Sequence, residues 1–445
     1  MYYLEKCYFC SWKNNSLRMR RYILTIMAAM MASVVAAQVA TRTVRVEVRN
    51  DNDFDKVAEP VAIKLKDVKK LNFSVRGASV REGGKVVQSQ LDDMDGDFEY
   101  DELFFVTDIK AHESKVFDVN LSATNDESNK FVALKGDENK IYTALQFRDK
   151  KDKYPDLLRV EAKGSTNLFN DIYMHGMTIE SELTGYRIYF DERQNIDLYG
   201  KRYRRIELPE TQFYTTAEQL KAGYGVDVLW AGKAIGCGSF KQYDGKQPQN
   251  WTNVGLRGQR VVTTGPLRTI VEMYDLAMER PSANGAERYD VRQMYTLVAG
   301  HRDLTVDVTF RNVGDMKFCT GVQKVGVTAD DSVRRGHKSE GMIREDGIAM
   351  SWGCDYPDMG KKQIWAPEAI GMAVYVPTKY IKGRNEDELN YVYVVAPDAS
   401  QTLRYYVTFC ADKEEQGYHS ANEWFTSLDA WKKNVEKTVK IRVLK

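Results

Sequence analysis

The chain predicts an all-β protein, a small N-terminal β-sandwich followed by a second, much larger all-β region, and three observations lead there. From Thr43 onward apolar and polar residues alternate in short runs (TVRVEVRN, PVAIKLKD, NFSVRGASV, KVVQSQL, ELFFVTDI, SKVFDVNLS) separated by turn formers. A polar stretch, ATNDESNKFVALKGDENK, then interrupts the alternation, and a longer series of strand-like runs follows it, from GYRIYFD and YGVDVLWAG to NYVYVVAP and LRYYVTF. Finally, helical spacing is convincing at one place only, near the C-terminus.

Taken in order, residues 1–18 read as an upstream extension from a misplaced start. Residues 19–37 carry the three parts of a secretory signal: Met19-Arg20-Arg21, the short apolar run YILTIMAAMMASVV, and the small pair Ala36-Ala37. The mature protein is expected to begin near Gln38 and to be exported, periplasmic or secreted, without a lipid. Residues 42–122 form the small sandwich and 123–140 a linker, where strand alternation lapses. Residues 141–445 form the large all-β region and end in a helix over Ala421–Val435. Ser420 and Glu423 offer a capping box for that helix, and Trp424, Leu428, Trp431 and Val435 follow at helical spacing.

Composition narrows the partners. A formal net charge of +1 over 445 residues gives no field toward nucleic acid or anionic membrane. No later stretch is long and apolar enough to span a bilayer. Cys7 and Cys10 lack any partner for metal or redox chemistry. Cys237, Cys319, Cys354 and Cys410 lie in strand-like sequence and are expected as buried free thiols, since a chain this long builds a core without disulfides. The oligomeric state is not legible.

Candidate chemistry concentrates in Asp171–Arg202, DIYMHGMTIESELTGYRIYFDERQNIDLYGKR. Imidazole, carboxylates, tyrosines and basic groups converge there on short β segments broken by glycines. Such groups suit a saccharide: rings stack on its apolar faces, and charged groups read its hydroxyls or carboxylate. We assign His175, Glu180 and Tyr186 as catalytic candidates, because an imidazole that titrates near neutrality and a carboxylate can move protons. Glu182, Arg187, Tyr189, Asp191, Tyr199, Lys201, Asp227 and Trp230 are the substrate-binding candidates, with the basic run after Tyr199 suited to a uronate. If the strand is regular, Glu180, Glu182 and Tyr186 share one face and Arg187, Tyr189 and Asp191 the other. An ordinary solvated strand face is the competing reading for each carboxylate. Asp93, Asp95, Asp97 and Asp101 resemble a calcium loop, but Phe98 stands where such loops need glycine. An acidic hairpin without metal is therefore the expectation, and no cofactor is called for.

Three blocks carry a family resemblance: LDDMDGDFEYDELFFVTDIKAHESKVF, the run from MHG through ESELTGYRIYFD to DLYGK, and VDVLWAGKAIGCGSF with GPLRTIVEMYDL and YTLVAGHRDLTVDVTFRN. From about Val44 to the C-terminus the chain resembles a secreted bacterial family known as domain of unknown function 4861. That resemblance implies a galactose mutarotase-like β-supersandwich and a setting in polysaccharide breakdown. Together with the polar cluster it leads to the expectation of an exported carbohydrate-active protein acting on a uronate-containing oligosaccharide by lyase- or epimerase-like acid/base chemistry. The alternative is a non-catalytic carbohydrate-binding protein.

Overall fold

The computed structural model describes residues 39–125, 140–148, 156–164, 166–282, 285–357 and 365–444. The expected signal peptide and upstream extension, and most of the expected linker, lie outside these residues. The protein is all-β: the described strands form five sheets with antiparallel pairings. Strict alternation builds the first of them. In Thr41–Arg49, Val44, Val46 and Val48 are buried while their neighbours face outward or are only partly covered.

The first sheet runs in the order Lys440–Val443, Thr41–Arg49, Ser114–Ser122, Gly77–Glu82, Lys85–Val87, and it faces a three-stranded sheet of Lys56–Lys64, Glu102–Ile109 and Ser89–Asp92. The largest sheet has nine strands, with Arg268–Ser282 and Gly285–Val298 as its longest hairpin. A fourth sheet orders Val226–Asp227, Ile196–Gly200, Gly185–Tyr189, Gly176–Ser181 and Ile141–Ala144. The fifth is built around Phe318–Gln323 and Asn390–Val395. One hydrophobic cluster, from Val46 through Ile179 and Tyr295 to Phe409, joins all five.

Two details depart from the sequence reading. The last strand, assigned by sequence to the larger region, pairs instead with Thr41–Arg49, Val46 opposite Val443. Polar contacts also tie the three-stranded sheet to the largest one. Gln90 Oε1 accepts from the amides of Leu267 and Arg268 at 3.0 and 2.9 Å, and Arg268 Nε donates to Asp92 at 2.7 Å. His301 likewise hydrogen-bonds Ala58 O through Nε2 at 2.9 Å. The C-terminal helix forms over Ala421–Glu436, but its cap is not the reciprocal box. Ser420 Oγ accepts from Glu423 N at 3.3 Å, while the Glu423 carboxylate reaches back one residue further, to His419 N at 2.8 Å. Trp424 and Leu428 are buried against Ile348, Trp352 and Tyr375; Trp431 is only partly covered, because it sits one turn nearer the open end of that seam.

Cys237, Cys319, Cys354 and Cys410 are all buried free thiols. Among the described residues no helix is long and apolar enough to cross a membrane.

Candidate functional site

The fourth sheet positions the site, and its strand parity explains which side chains reach it. Gly176–Ser181 and Gly185–Tyr189 pair with Thr178 opposite Arg187 and Ile179 opposite Tyr186. The intervening turn at 182–184 breaks the regular alternation the sequence reading assumed. Glu180 and Arg187 therefore share a face, while Tyr186 points to the other. The next hairpin folds about Glu192 and sets Asp197 opposite Arg187, with Tyr199 opposite Asp227 across the following pair. Direct cross-strand neighbours thus bring one arginine and two aspartates together.

These groups line a cavity of about 190 Å³ with His175, Tyr189, Phe169, Arg193, Asn195, Phe213, Tyr214, Trp230 and Trp365. Arg187 Nη2 donates to Asp197 Oδ2, to Asp227 Oδ2 at 3.1 Å and to the Tyr189 hydroxyl at 2.8 Å. The Tyr189 hydroxyl in turn donates to Asp197 Oδ2 at 2.7 Å. The guanidinium lies over the rings of Phe213 and Tyr189, 4.6 and 4.8 Å from their centroids. Burial opposes its charge, but Asp197, Tyr189 and Asp227 outweigh burial and hold it above its ordinary value. Burial, followed by Asp197, raises the Tyr189 phenol well above the usual range, so it stays protonated. Trp230 is 49% exposed and presents an indole at the mouth.

Three buried polar atoms here have no hydrogen-bond partner among the described residues: Arg187 Nε, Arg187 Nη1 and Asn195 Oδ1. Leaving a buried donor or acceptor unmade costs about 1–3 kcal/mol each, so their gathering beside one aromatic cavity is a cost the fold carries there.

His175 sits where the chain enters Gly176–Ser181. Met174 and His175 both adopt left-handed backbone, φ 56° and 60°, a conformation that costs free energy in non-glycine residues and collects at functional sites. Gly176 follows because a Cβ there would lie 1.9 Å from Ile188 O. The imidazole stacks on Phe169 at 3.8 Å between centroids, and its Nδ1 meets Phe169 O at 2.5 Å. A carbonyl can only accept, so Nδ1 carries the proton and the neutral ring keeps its lone pair on Nε2. Nε2 makes no hydrogen bond among the described residues. Burial, helped by Arg187 and Arg148, holds the ring's pKa below its ordinary 6.5 against the pull of Phe169 O. The sign follows: a depressed value gives a contribution to stability that is full above pH 6.5 and declines as pH falls through the folded value. We expect His175→Asn to show a shallower loss of stability in acid than the parent, read by urea midpoints between about pH 7 and pH 4.

The structure brings together five of the sequence-selected residues: His175, Arg187, Tyr189, Asp227 and Trp230. Others it sends elsewhere. Glu180 faces the cavity's side of the sheet, but the segment 207–215 folds over it. Its carboxylate caps Leu208–Thr211 by accepting from Glu207 N and Leu208 N at 2.7 and 3.0 Å, and pairs with Lys201 at 2.6 Å, fully buried. Lys201, read as substrate-binding, therefore lies buried away from the cavity; its ammonium also donates to Ser181 O and Arg205 O. Tyr186 lies in the core, donating to Arg302 O and packing against Phe409. Tyr199 is buried and donates to Gly225 O at 2.8 Å. Glu182 accepts from Gly300 N at 3.0 Å. Asp191 anchors Arg193 at the edge of an adjoining cavity, accepting from its amide and Nε at 2.8 and 2.7 Å. Asp197 and Arg193 escaped the sequence reading, although a hairpin folded about Glu192 is the signal that would have set Asp197 beside Arg187.

In the small sandwich, Asp93, Asp95 and Asp101 bring carboxylate oxygens within 4.8 Å of one another, with Asp97 outside the group. Their oxygens accept from the hairpin's own amides: Asp93 from Gly96 and Phe98, Asp95 from Asp97, and Asp101 from Met94. A hairpin already tied by its backbone should not need an ion. Chelation with EDTA is expected to leave the melting temperature unchanged; a drop of several degrees restored by calcium alone would refute this.

No curated protein matches the chain. Among solved structures it is similar to a protein in glycosyl hydrolase family 38 from Enterococcus faecalis, at 9% identity and TM-score 0.45, over 91% of this chain and 47% of that one. It is similar in the same measure to an α-mannosidase from Enterococcus faecalis V583, at 9% identity and TM-score 0.46, over 91% and 46%. A third is an aldose 1-epimerase from Klebsiella pneumoniae subsp. pneumoniae MGH 78578, at 9% identity and TM-score 0.28, over 67% of this chain and 96% of that one. The chain spans about half the length of the two Enterococcus proteins, and likeness this distant says nothing of chemistry. Residues 48–441 match the family described as Domain of unknown function (DUF4861), and the chain belongs to that family.

Proposed function

We propose that this is an exported carbohydrate-active protein of polysaccharide breakdown and that the cavity around Arg187 takes one sugar residue for acid/base chemistry. The observation that carries the reading is the set of unpartnered Arg187 and Asn195 atoms beside an aromatic-lined cavity. A volume of about 190 Å³ falls below the roughly 300 Å³ at which pockets for drug-sized ligands begin, and suits a single ring. Trp230 offers a stacking face, and Asp197 and Asp227 offer acceptors for hydroxyls. His175 Nε2 is the proton acceptor and the Tyr189–Asp197 pair the opposing donor, which is the division of labour that epimerisation or β-elimination requires.

The acidic character of the substrate has less support than the sequence suggested. Lys201 and Arg205 are held by Glu180 and Glu207 away from the cavity. Arg187 Nη2 already serves two aspartates, and Nε and Nη1 lie on opposite edges of the guanidinium, so they cannot grip one carboxylate as a fork. Two separate hydroxyls fit those donors better, which leaves Arg193 as the group for a uronate. The test offers purified protein neutral and uronic saccharides and follows mass, ultraviolet absorbance of unsaturated products and anomeric ratio by NMR. Turnover with any product supports an enzyme; binding without turnover over long incubation makes the protein a carbohydrate binder; neither refutes the site.

A further inference from the structure

We infer that the cavity around Arg187 is one subsite of a longer cleft, and that the ligand is an oligosaccharide reaching into a second cavity beyond Phe169 and Arg193. This rests on the saccharide reading above and adds to it the length of the substrate and a second binding site. The second cavity has a volume of about 530 Å³, nearly three times that of the first, and the two share Phe169 and Arg193 in their walls. One sugar residue fills the first and leaves the second to water; a chain of three or four units fills both.

The chemistry of the second wall fits hydroxyl-bearing rings. Thr166, Asn167, Asp191, Glu192, Arg193 and Arg257 supply donors and acceptors, and Phe190 adds apolar surface. The wall is held rigidly. Arg257 is buried, with Nε on Asp275 Oδ1 at 2.8 Å and Nη2 on Trp251 O at 2.7 Å. Asp191 fixes the Arg193 amide and guanidinium together, and Arg193 in turn lies over both Phe169 and Tyr189, 5.6 and 5.4 Å from their centroids. The junction is therefore a braced arginine on two aromatic rings, a shape that admits the linkage between two sugars while stacking against each. Preorganised polar groups of this kind lose little entropy when a ligand arrives.

The experiment is titration calorimetry with monomer, dimer and tetramer series of glucose (β-1,4), mannose (β-1,4), galactose (β-1,4) and galacturonic acid (α-1,4). For whichever sugar binds, the tetramer is expected to bind at least about tenfold tighter than the monomer, an increment of about 1.4 kcal/mol. Thr166→Trp, at an exposed position in the second cavity, should abolish that gain and leave monomer affinity unchanged. Glu192→Trp, also exposed, provides an independent block should the first variant fold poorly. Equal affinity for monomer and tetramer, or a gain that survives both substitutions, overturns the second subsite while leaving the first intact. Failure of every series to bind overturns the saccharide reading and this extension with it.

Discussion

Replacing Lys201 with methionine is expected to cost about 3–5 kcal/mol of stability, the penalty typical of breaking a buried ion pair by removing one partner. The Lys201 ammonium, itself buried, satisfies Glu180 Oε1 at 2.6 Å and two backbone carbonyls at 2.5 Å. Methionine preserves the volume of the stem, leaves the Glu180 charge with only its two amide donors, and takes the ammonium from the carbonyls of Ser181 and Arg205. Burial already pushes the Glu180 carboxyl up despite its lysine partner, and burial pulls the Lys201 ammonium down. A raised acid favours the folded state below its unfolded value, and that advantage disappears as pH rises through the folded one. The gap between variant and parent should therefore narrow in acid, where Glu180 takes up a proton, and widen above neutrality. Pairing the change with Glu180→Gln should recover part of the loss at neutral pH, because a neutral amide still accepts from the Leu208–Thr211 helix start. Urea unfolding with an unchanged slope reads all three. A variant within about 0.5 kcal/mol of the parent, the range of ordinary surface substitutions, would mean that the pair is not the structural keystone argued here.

The same pair shows how far the sequence could be read. Period-two alternation specified the strands, since burial on one face leaves few other registers open. The pattern put Glu180 and Arg187 on opposite faces of their strands, whereas the pairing register puts them on one. What separates them is a cover: Leu208 and Phe213 close over the sheet face above Glu180 and Tyr199, while next to Arg187 the cover stops short and leaves a cavity. A segment 207–215 with one short helix and no strong periodicity gives no hint of where it will lie. The parity of Tyr186 failed for a local reason, the irregular turn at 182–184, and one residue's slip exchanged core for cavity. The four thiols were easier, because strand burial is set within a few residues. The return of the chain end to pair with Thr41–Arg49 is the opposite case, a contact across nearly the whole sequence that no local pattern announces.

His175→Asn is expected to lower turnover by about 10²–10⁴-fold, the range general acid–base catalysis contributes, with stability held within about 1 kcal/mol of the parent. Asparagine is the informative choice because it does two of the three things histidine does. It accepts left-handed backbone more readily than most residues, so the φ of 60° is not a new burden. Its amide N–H can reproduce the donation from Nδ1 to Phe169 O. It lacks the Nε2 lone pair, and nothing else at that position can receive a proton near neutral pH. His175→Ala should lose turnover to the same extent with somewhat more loss of stability, since it also gives up the hydrogen bond to Phe169 O. Binding measured by calorimetry should weaken far less than turnover in the asparagine variant, because Arg187, Asp197, Asp227 and Trp230 remain in place. In the parent, the acid limb of kcat/KM should lie below pH 6.5, as the depressed imidazole requires, and the residual activity of the variant should lack that limb. Undiminished turnover in His175→Asn would remove the imidazole from the chemistry and shift the search for the base to Asp197 and Asp227, which share the same cavity and the same arginine.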